Sequence, residues 1–530
     1  MKKALALALS LVMLLSLAAI PGIAEEAPTK ITWLHKAWNS SAEGGHFWNA
    51  YWVKHLEEKF NVEIDFMGLT PSDDYDAIVN LTIADSGNWP DIIFWNWDKY
   101  SGGIAGAIDD GLVMPLNQVE NWEEDMPIFS QLLKDNAYIR RALTLDSGDI
   151  TGCCHVEQDI KRNAYSGFGI RTDWLENVGK EMPKSVEDLY DVLKAFKEED
   201  ANGNGDKNDE IPMSDFKEYF LLQMIAGGWD VVWNNMQIDP TTGKVAWWAT
   251  ANNGESFKRF ATDMRRWYAE GLIDPEFNTQ DTNTRIVKIL NDQVGFCFTY
   301  PAENDSFAKK IREAGLNEKA AFEPMSPLQD ANGNAYTSNT DMVKWAAAEQ
   351  LNAVTTAAGE KTELILQMLD YMYSDEFTDI LSWGKEGVTF AYDEHGVPYY
   401  LPECYNEDGS QNNDFINKYA LGGRGQWPRF MNYEQVLLTS SEMEVKARAK
   451  YGDVDTTIVL PPLTVVGDEA VEYTSILADA QTATLEAFIK VMLGTADLSE
   501  LDKLDETLKT IKIDRAIEIL QAAYDNYEKK

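Results

Sequence analysis

Lys30-Ile31-Thr32-Trp33-Leu34, then Val62-Glu63-Ile64-Asp65-Phe66, then Gly87-Asn88-Trp89-Pro90-Asp91-Ile92-Ile93-Phe94 are the three pieces of sequence on which the fold turns. In the second, apolar Val62, Ile64 and Phe66 alternate with Glu63 and Asp65, the period of two that gives a strand one buried face. The stretches from Phe47 to Phe60 and around Ala77 to Ala84 carry helical spacing, and Gly87 to Pro90 is a turn feeding an apolar run. Strand, helix, strand, helix, strand predicts a parallel α/β sheet, because parallel neighbours need a crossover long enough to hold a helix.

Further along, Ser185-x-x-Asp188 predicts a capping box with Asp in the usual Glu position. Val186, Leu189, Tyr190, Leu193 and Phe196 then share one helical face, and Ile513, Ala516, Ile517, Leu520, Tyr524 and Tyr527 form a similar stripe near the end of the chain. These stripes are expected to be core. A chain of 530 residues is too long for one hydrophobic core. With no internal repeat and no Pro- or Gly-rich linker, two lobes built from interleaved segments are expected.

At the start, Met1-Lys2-Lys3 precedes an apolar run from Ala4 to Ile20, and Gly22 and Ala24 supply small residues ahead of Glu25-Glu26. Residues 1–24 are therefore expected to be a secretory signal peptide cut after Ala24. No cysteine follows the run, so no lipid tether is expected; the protein should work outside the cell, in the periplasm if the host is Gram-negative. With 46 Lys and Arg against 87 Asp and Glu, the formal charge is -41, and nucleic acid is excluded as a partner by repulsion of its phosphates. Hydrophobic content of 45% excludes a disordered acidic chain. Four cysteines, Cys153, Cys154, Cys297 and Cys404, leave the disulfide pairing open. Cys153-Cys154-His155-x-Glu157 offers zinc-type ligands without zinc-type spacing, so packed or disulfide-bonded cysteine is the expected state.

Several blocks, in order, resemble the large carbohydrate-binding members of the extracellular solute-binding protein family served by ABC importers. They are Gly87 to Ile93 with Asp109-Asp110-Gly111-Leu112-Val113-Met114-Pro115-Leu116; Arg171-Thr172-Asp173-Trp174-Leu175 with the helix from Val186 and the loop Asp200 to Pro212; Tyr268-Ala269-Glu270-Gly271-Leu272-Ile273-Asp274-Pro275; Trp383 to Phe390; and Ala522-Ala523-Tyr524-Asp525. The resemblance implies a type II periplasmic-binding-protein fold, two α/β lobes with a hinge and a ligand cleft. It implies a non-enzymatic carrier that captures an oligosaccharide as a monomer and delivers it to a membrane permease. On that basis residues 30–150 with about 285–345 are expected to form the N-terminal lobe, and about 151–284 with 346–530 the C-terminal lobe. Gly152-Cys153-Cys154-His155 departs from the family pattern, where an uncharged Gly-aromatic-Pro stretch is more usual.

Asp200-Ala201-Asn202-Gly203-Asn204-Gly205 has oxygen ligands at positions 1, 3 and 5 and Gly at 6, the first half of a calcium-binding EF-hand loop. Position 12 is Ile211, so an EF-hand cannot close in the usual way. The alginate-binding members of the resembled family end a similar loop with an Asp-Glu pair, which makes Asp206 (through its backbone carbonyl), Asn208, Asp209 and Glu210 the remaining candidates for a structural calcium. Asp330-Ala331-Asn332-Gly333-Asn334 repeats the opening, but Ala335 replaces the turn glycine, and a plain turn is expected there.

Seventeen Trp and 22 Tyr suit a sugar ligand, whose faces are C–H and whose rim is hydroxyl. Trp38, Trp95, Trp97, Trp229, Trp383 and Trp427 are the candidate stacking rings, with Arg424, and less strongly Asp98 and His35, as hydroxyl contacts. A secreted glycoside hydrolase would share the export signal and the aromatics, but it needs two carboxylates at a set separation, which 87 acids make unreadable. A peptide or metal carrier on the same fold is the other alternative.

Overall fold

The computed structural model describes residues 27–36, 47–67, 75–157, 164–344, 350–407, 409–421 and 427–529. The expected signal peptide lies outside them. Along the chain run β1 (Thr29–Leu34), α1 (Tyr51–Phe60), β2 (Val62–Met67), α2 (Tyr75–Ala84), β3 (Ile92–Asn96) and α3 (Gly103–Asp109). They are followed by β4 (Gly167–Arg171), α4 (Val186–Glu198), β5 (Ile211–Ser214), α5 (Phe220–Ile225), β6 (Val294–Thr299), β7 (Phe322–Met325) and β8 (Gln350–Val354). Three helices, α6 (Gly467–Met492), α7 (Glu500–Ile511) and α8 (Ile513–Tyr527), close the chain, and shorter elements lie between.

Two four-stranded sheets organise two lobes. The first has the order β8-β3-β1-β2, with β1 parallel to both neighbours and β8 antiparallel to β3. The alternation in β2 does what the pattern predicted: Val62, Ile64 and Phe66 are buried while Glu63 and Asp65 face solvent. In β3 the run Ile92-Ile93-Phe94-Trp95 is buried on both faces, as expected for a strand inside a parallel sheet. Asp91, just ahead of it, is buried because it is fully engaged. Its Oδ2 accepts from the backbone N–H and the hydroxyl of Thr32 on β1 and pairs with Lys361 at 2.5 Å, tying three segments of the lobe together.

The second sheet has the order β7-β4-β6-β5, antiparallel except for the β5/β6 pair. The capping box opening α4 is present in both directions between Ser185 and Asp188, and the buried face includes Val186, Leu189, Leu193 and Phe196, with Tyr190 half-buried. Gly271 ends the preceding long helix at φ +73, a left-handed position that glycine adopts without strain, and its N–H donates to Tyr268 O. The C-terminal stripe packs with α6 into the core of this lobe.

The lobes are interleaved, but two segments sit opposite to expectation. Residues 285–345 carry β6 and β7, which pair with β4, so they belong to the second lobe. From residue 350 onward β8 pairs with β3, and Ile365, Leu366, Leu369, Phe377 and Leu381 pack into the first core. Only the stretch beyond about residue 440 returns to the second lobe, where α6 and α8 contribute to its core. The apolar patterns of β6 and β8 are equally strand-like, and nothing local in them encodes which sheet they join. Cys153, Cys154, Cys297 and Cys404 are all buried and none is joined in a disulfide, which answers the open pairing. Among the described residues no helix is long and apolar enough to cross a membrane.

Candidate functional site

In the first sheet the chain leaves β1 for β2 on one side and returns to β3 on the other, so the carboxyl ends of β1 and β3 diverge at a switch point where α/β sheets hold their ligands. The turn after β3 is built there. Trp95 donates its indole N–H to Asp76 Oδ1 on α2 at 2.9 Å, and Trp97 donates to Leu351 O on β8 at 3.2 Å. Lys99 and, next, Trp95 hold the Asp76 carboxyl below the usual carboxylate range. Both indoles are thus anchors for the turn. They leave Asp98, Tyr100, Ser101, Gly102 and Gly103 lining a cavity of about 780 Å³. Gly102 and Gly103 stand at φ +78 and +67, which explains two successive glycines.

The opposite wall of this cavity comes from the second lobe: Asn235, Thr340, Lys344, Pro461, Pro462 and Leu463, with Tyr473 and Thr474 of α6. The cavity therefore lies between the lobes, where hinge closure would change its volume. Burial, and next its bond to Asp110 at 2.8 Å, pushes the Tyr100 hydroxyl up to about 12, so the group stays protonated and able to donate. Burial does the same for Tyr473.

A second set of rings sits at one end of the second sheet. Tyr165, just before β4, and Tyr300, just after β6, are 41% and 43% exposed, while Tyr219 and Trp233 are half-buried with ring centroids 6.0 Å apart. Tyr219 has φ +58, a strained position for a non-glycine residue. The strain is held by Asp215, whose buried carboxylate accepts N–H bonds from Phe216, Leu221 and Leu222 at 2.9, 3.1 and 2.9 Å. Burial raises the Asp215 pKa to about 6 against the opposing pull of those three bonds.

Most of the expected stacking tryptophans are core residues, which corrects the sequence-based assignment. Trp95, Trp97, Trp229, Trp383 and Trp427 are each 2% exposed or less. Trp229 donates to Asp263 at 2.8 Å, and Trp383 packs between Phe390 and Tyr400. Trp427 lies flat on His35 at 3.7 Å with Trp33 and Trp52 edge-on around it. None offers a ring face to a ligand. Trp38 and Arg424 lie outside the described residues. Tyr473, the ring that α6 contributes to the cavity wall, is not among the expected residues, because its place in a helical pattern carries no ligand signal.

The Asp200 loop folds as a nest of short turns. Asn202 Oδ1 accepts from Asn204 N, Asn204 Oδ1 from Asp206 N, and Asp200 Oδ2 from Gly205 N at 2.9 Å. Glu210 Oε1 accepts from Ala201 N at 3.0 Å, which folds the end of the loop back onto its start. Asp209 is held by the side-chain amides of Asn202 and Asn204, whereas Asp206 and Asn208 bind each other at the exposed tip. The remaining oxygens, Asp200 Oδ1 and Glu210 Oε2, are buried with no hydrogen-bond partner. Burial, and next the Asp209 charge, raises the Glu210 pKa. Two orphaned carboxylate oxygens on one loop are groups that a hard cation, a proton or a bound water would satisfy. Among the described residues no cluster of three or more His, Cys, Asp or Glu side chains converges as metal ligands, and Cys153, Cys154 and His155 form none. Asp330 differs from Asp200: its oxygens accept from the backbone and side-chain N–H groups of Asn332 and Asn334, and its carboxyl also hydrogen-bonds that of Asp230.

The same architecture recurs among proteins of known structure. An HMO-binding ABC-transporter-associated solute-binding protein from Bifidobacterium longum infantis superposes with a TM-score of 0.73, at 18% identity, over 95% of this chain and 99% of that one. The alginate-binding protein AlgQ2, solved without calcium ion, gives 0.68 at 21% over 94% and 98%. The fold is that of the ABC-transporter solute-binding proteins. In sequence the chain is 28% identical over 350 residues to the fructooligosaccharide ABC transporter substrate-binding protein FusA of Streptococcus pneumoniae serotype 4, covering 63% of this chain. The match spans 60% of FusA, so the chain covers less than two thirds of that relative's length. An EF-hand mutant of FusA in complex with fructo-nystose superposes with a TM-score of 0.68 at 20% identity over 94% and 99%. No protein-family profile matches the chain.

Proposed function

We propose that this protein is the substrate-binding component of an ABC importer, exported from the cell, which closes its two lobes on an oligosaccharide and presents it to a membrane permease. The observation that carries the reading is the interlobe cavity at the switch point, walled by tyrosine rings, prolines, hydroxyls and an amide. Rings and prolines suit the C–H faces of a sugar, and Tyr100, Ser101, Asn235 and Thr474 suit its hydroxyls. Tyr100 and Tyr473 come from opposite lobes and are the proposed stacking rings; the chain acts as a monomer, one cleft per molecule. FusA and the Bifidobacterium protein bind oligosaccharides by name, which supports the same class of cargo here.

The Asp200 loop is the proposed site of one structural calcium ion. Asp200, Asn202, Asn204, Asp209 and Glu210 would hold it, and the ion would supply the positive charge that two orphaned carboxylate oxygens lack. Asp206 and Asn208, turned to each other at the tip, would serve it only through backbone. That neighbouring folds include a protein solved without calcium and an EF-hand mutant supports the assignment.

Calorimetric titration with a panel of neutral oligosaccharides tests the carrier reading. Tyr473→Ala should weaken binding by about 2 kcal/mol, a truncation of one central ring, with the melting temperature nearly unchanged. Release of reducing ends by the parent protein would make it a hydrolase and sink the proposal.

A further inference from the structure

The similar proteins divide over charge: one takes alginate, a polyuronate, and another fructooligosaccharides, which are neutral. Likeness does not choose between them, but the cavity wall does. We propose that the interlobe cavity accepts neutral oligosaccharides and excludes uronate chains; this rests on the carrier reading above.

Charge is sparse on the cavity wall. Among the described residues lining it, Asp98 from the first lobe and Lys344 from the second are the only charged side chains. They cancel. The other polar groups, Tyr100, Ser101, Asn235, Thr340, Tyr473, Thr474 and Ser475, are uncharged, and they can donate to or accept from hydroxyls without regard to sign. A uronate trimer would bring three carboxylates to a wall whose described residues include one lysine and one acid. Once the lobes close and water leaves, at least two of them find no cation among the described lining residues, a desolvation cost that direct pairing would have to offset. A wall that recognises uronates needs fork-like guanidinium donors or several ammonium groups, as carboxylate recognition elsewhere does.

Long-range charge acts in the same direction. The chain carries a formal charge of -41, so a polyanion approaches against the field of the whole molecule, whereas a neutral sugar feels none of it. The two effects separate experimentally, because the field is screened by salt and the unmatched carboxylates inside a closed cleft are not.

The experiment titrates the mature protein with fructo-, xylo-, cello-, galacto- and manno-oligosaccharides and with trigalacturonate and a mannuronate trimer, at low salt and at about 0.5 M NaCl. A neutral sugar should bind with an affinity that changes less than about twofold with salt, and both uronates should bind at least about a hundredfold more weakly at either salt concentration. Asp98→Lys makes the decisive variant: by turning one acid into a second cation it should raise the ratio of trigalacturonate to neutral-sugar affinity about tenfold or more. A uronate that binds the parent within tenfold of the best neutral sugar overturns the proposal. So does an Asp98→Lys protein that still rejects uronate, since shape and not charge would then be the filter. If neither class binds, the carrier reading itself falls and takes this inference with it.

Discussion

Stripping calcium from the Asp200 loop is expected to destabilise the second lobe and leave the first untouched. The loop is wired only into the second: Asn202 donates to Asp292 O at 3.2 Å, and the Asn317 amide reaches Asn202 O, Asp292 and Asp173. Asp173 and Asp292 in turn hold Arg171, fully buried at the end of β4, at 2.6 and 2.5 Å. Two orphaned carboxylate oxygens each cost about 1 to 3 kcal/mol when nothing satisfies them. An ion present at a hundredfold above its dissociation constant adds about 2.7 kcal/mol, which for a lobe of roughly 250 residues is a shift of about 5 to 10 °C. The assay is differential scanning calorimetry in millimolar calcium and then in excess chelator, on the parent, Asp200→Ala and Glu210→Gln. Glu210→Gln keeps the bond to Ala201 N and removes the charge, so it should lose the calcium response without a large change in the chelated state. If chelator leaves the parent's transitions in place and Asp200→Ala melts like the parent in both buffers, the loop is a turn and the reasoning from its orphaned oxygens is wrong.

Asp215 predicts a pH dependence of the opposite sign to an ordinary ion-paired acid. Its folded pKa is raised from 3.8 to about 6, so the folded chain holds that proton more tightly than the unfolded one. The stability it contributes is complete below about pH 3.8 and is lost as pH rises through about 6, on the order of 3 kcal/mol. Denaturant unfolding of Asp215→Asn against the parent should show that difference shrinking or reversing between pH 4 and pH 7, and a constant difference would refute it. The tryptophans make a separate prediction: Trp97→Ala and Trp383→Ala should each lose about 3 to 5 kcal/mol of stability as core truncations, and sugar affinity measured well below their melting points should fall little for Trp383→Ala. A Trp383→Ala protein with parental stability and lost binding would restore that ring to the cleft.

How much of this was legible in sequence depends on whether the governing interaction is local. The β1-α1-β2-α2-β3 unit, the capping box at Ser185 and the glycine stop at Gly271 were readable because each is set by residues within a turn or two of one another. The assignment of β6, β7 and β8 to lobes was not, since pairing Leu351 with Trp95 joins positions far apart in the chain and the apolar pattern of a buried strand is the same in either sheet. The ligand rings were misjudged for a related reason. Trp95 and Trp97 stand at the carboxyl end of β3, the right place for a cleft, but an indole there can point its N–H at Asp76 or Leu351 and become the support of the site instead of its surface.

The two Asn- and Gly-rich loops mark the point at which sequence alone stops discriminating. Asp200-Ala201-Asn202-Gly203-Asn204 and Asp330-Ala331-Asn332-Gly333-Asn334 are the same five residues in the same order, and on composition alone they are equivalent. They differ from the sixth residue onward. Ala335 ends the second motif, and Asp330 accepts from the amides of its own loop while its carboxyl also hydrogen-bonds that of Asp230. In the first, Gly205 at φ +94 lets the chain continue around until Glu210 folds back onto Ala201, and that return occupies one oxygen each of Asp200 and Glu210 while burying the other. A buried acid oxygen without a donor is costly until a cation, a proton or a bound water satisfies it. The sixth residue, more than the five shared ones, therefore separates a proposed metal loop from a turn. Gly205→Ala tests that step directly: by penalising the positive φ it should weaken calcium binding in a titration while leaving every proposed ligand side chain in place, and a variant that binds calcium like the parent would mean that the backbone turn is not what brings Asp200 and Glu210 together.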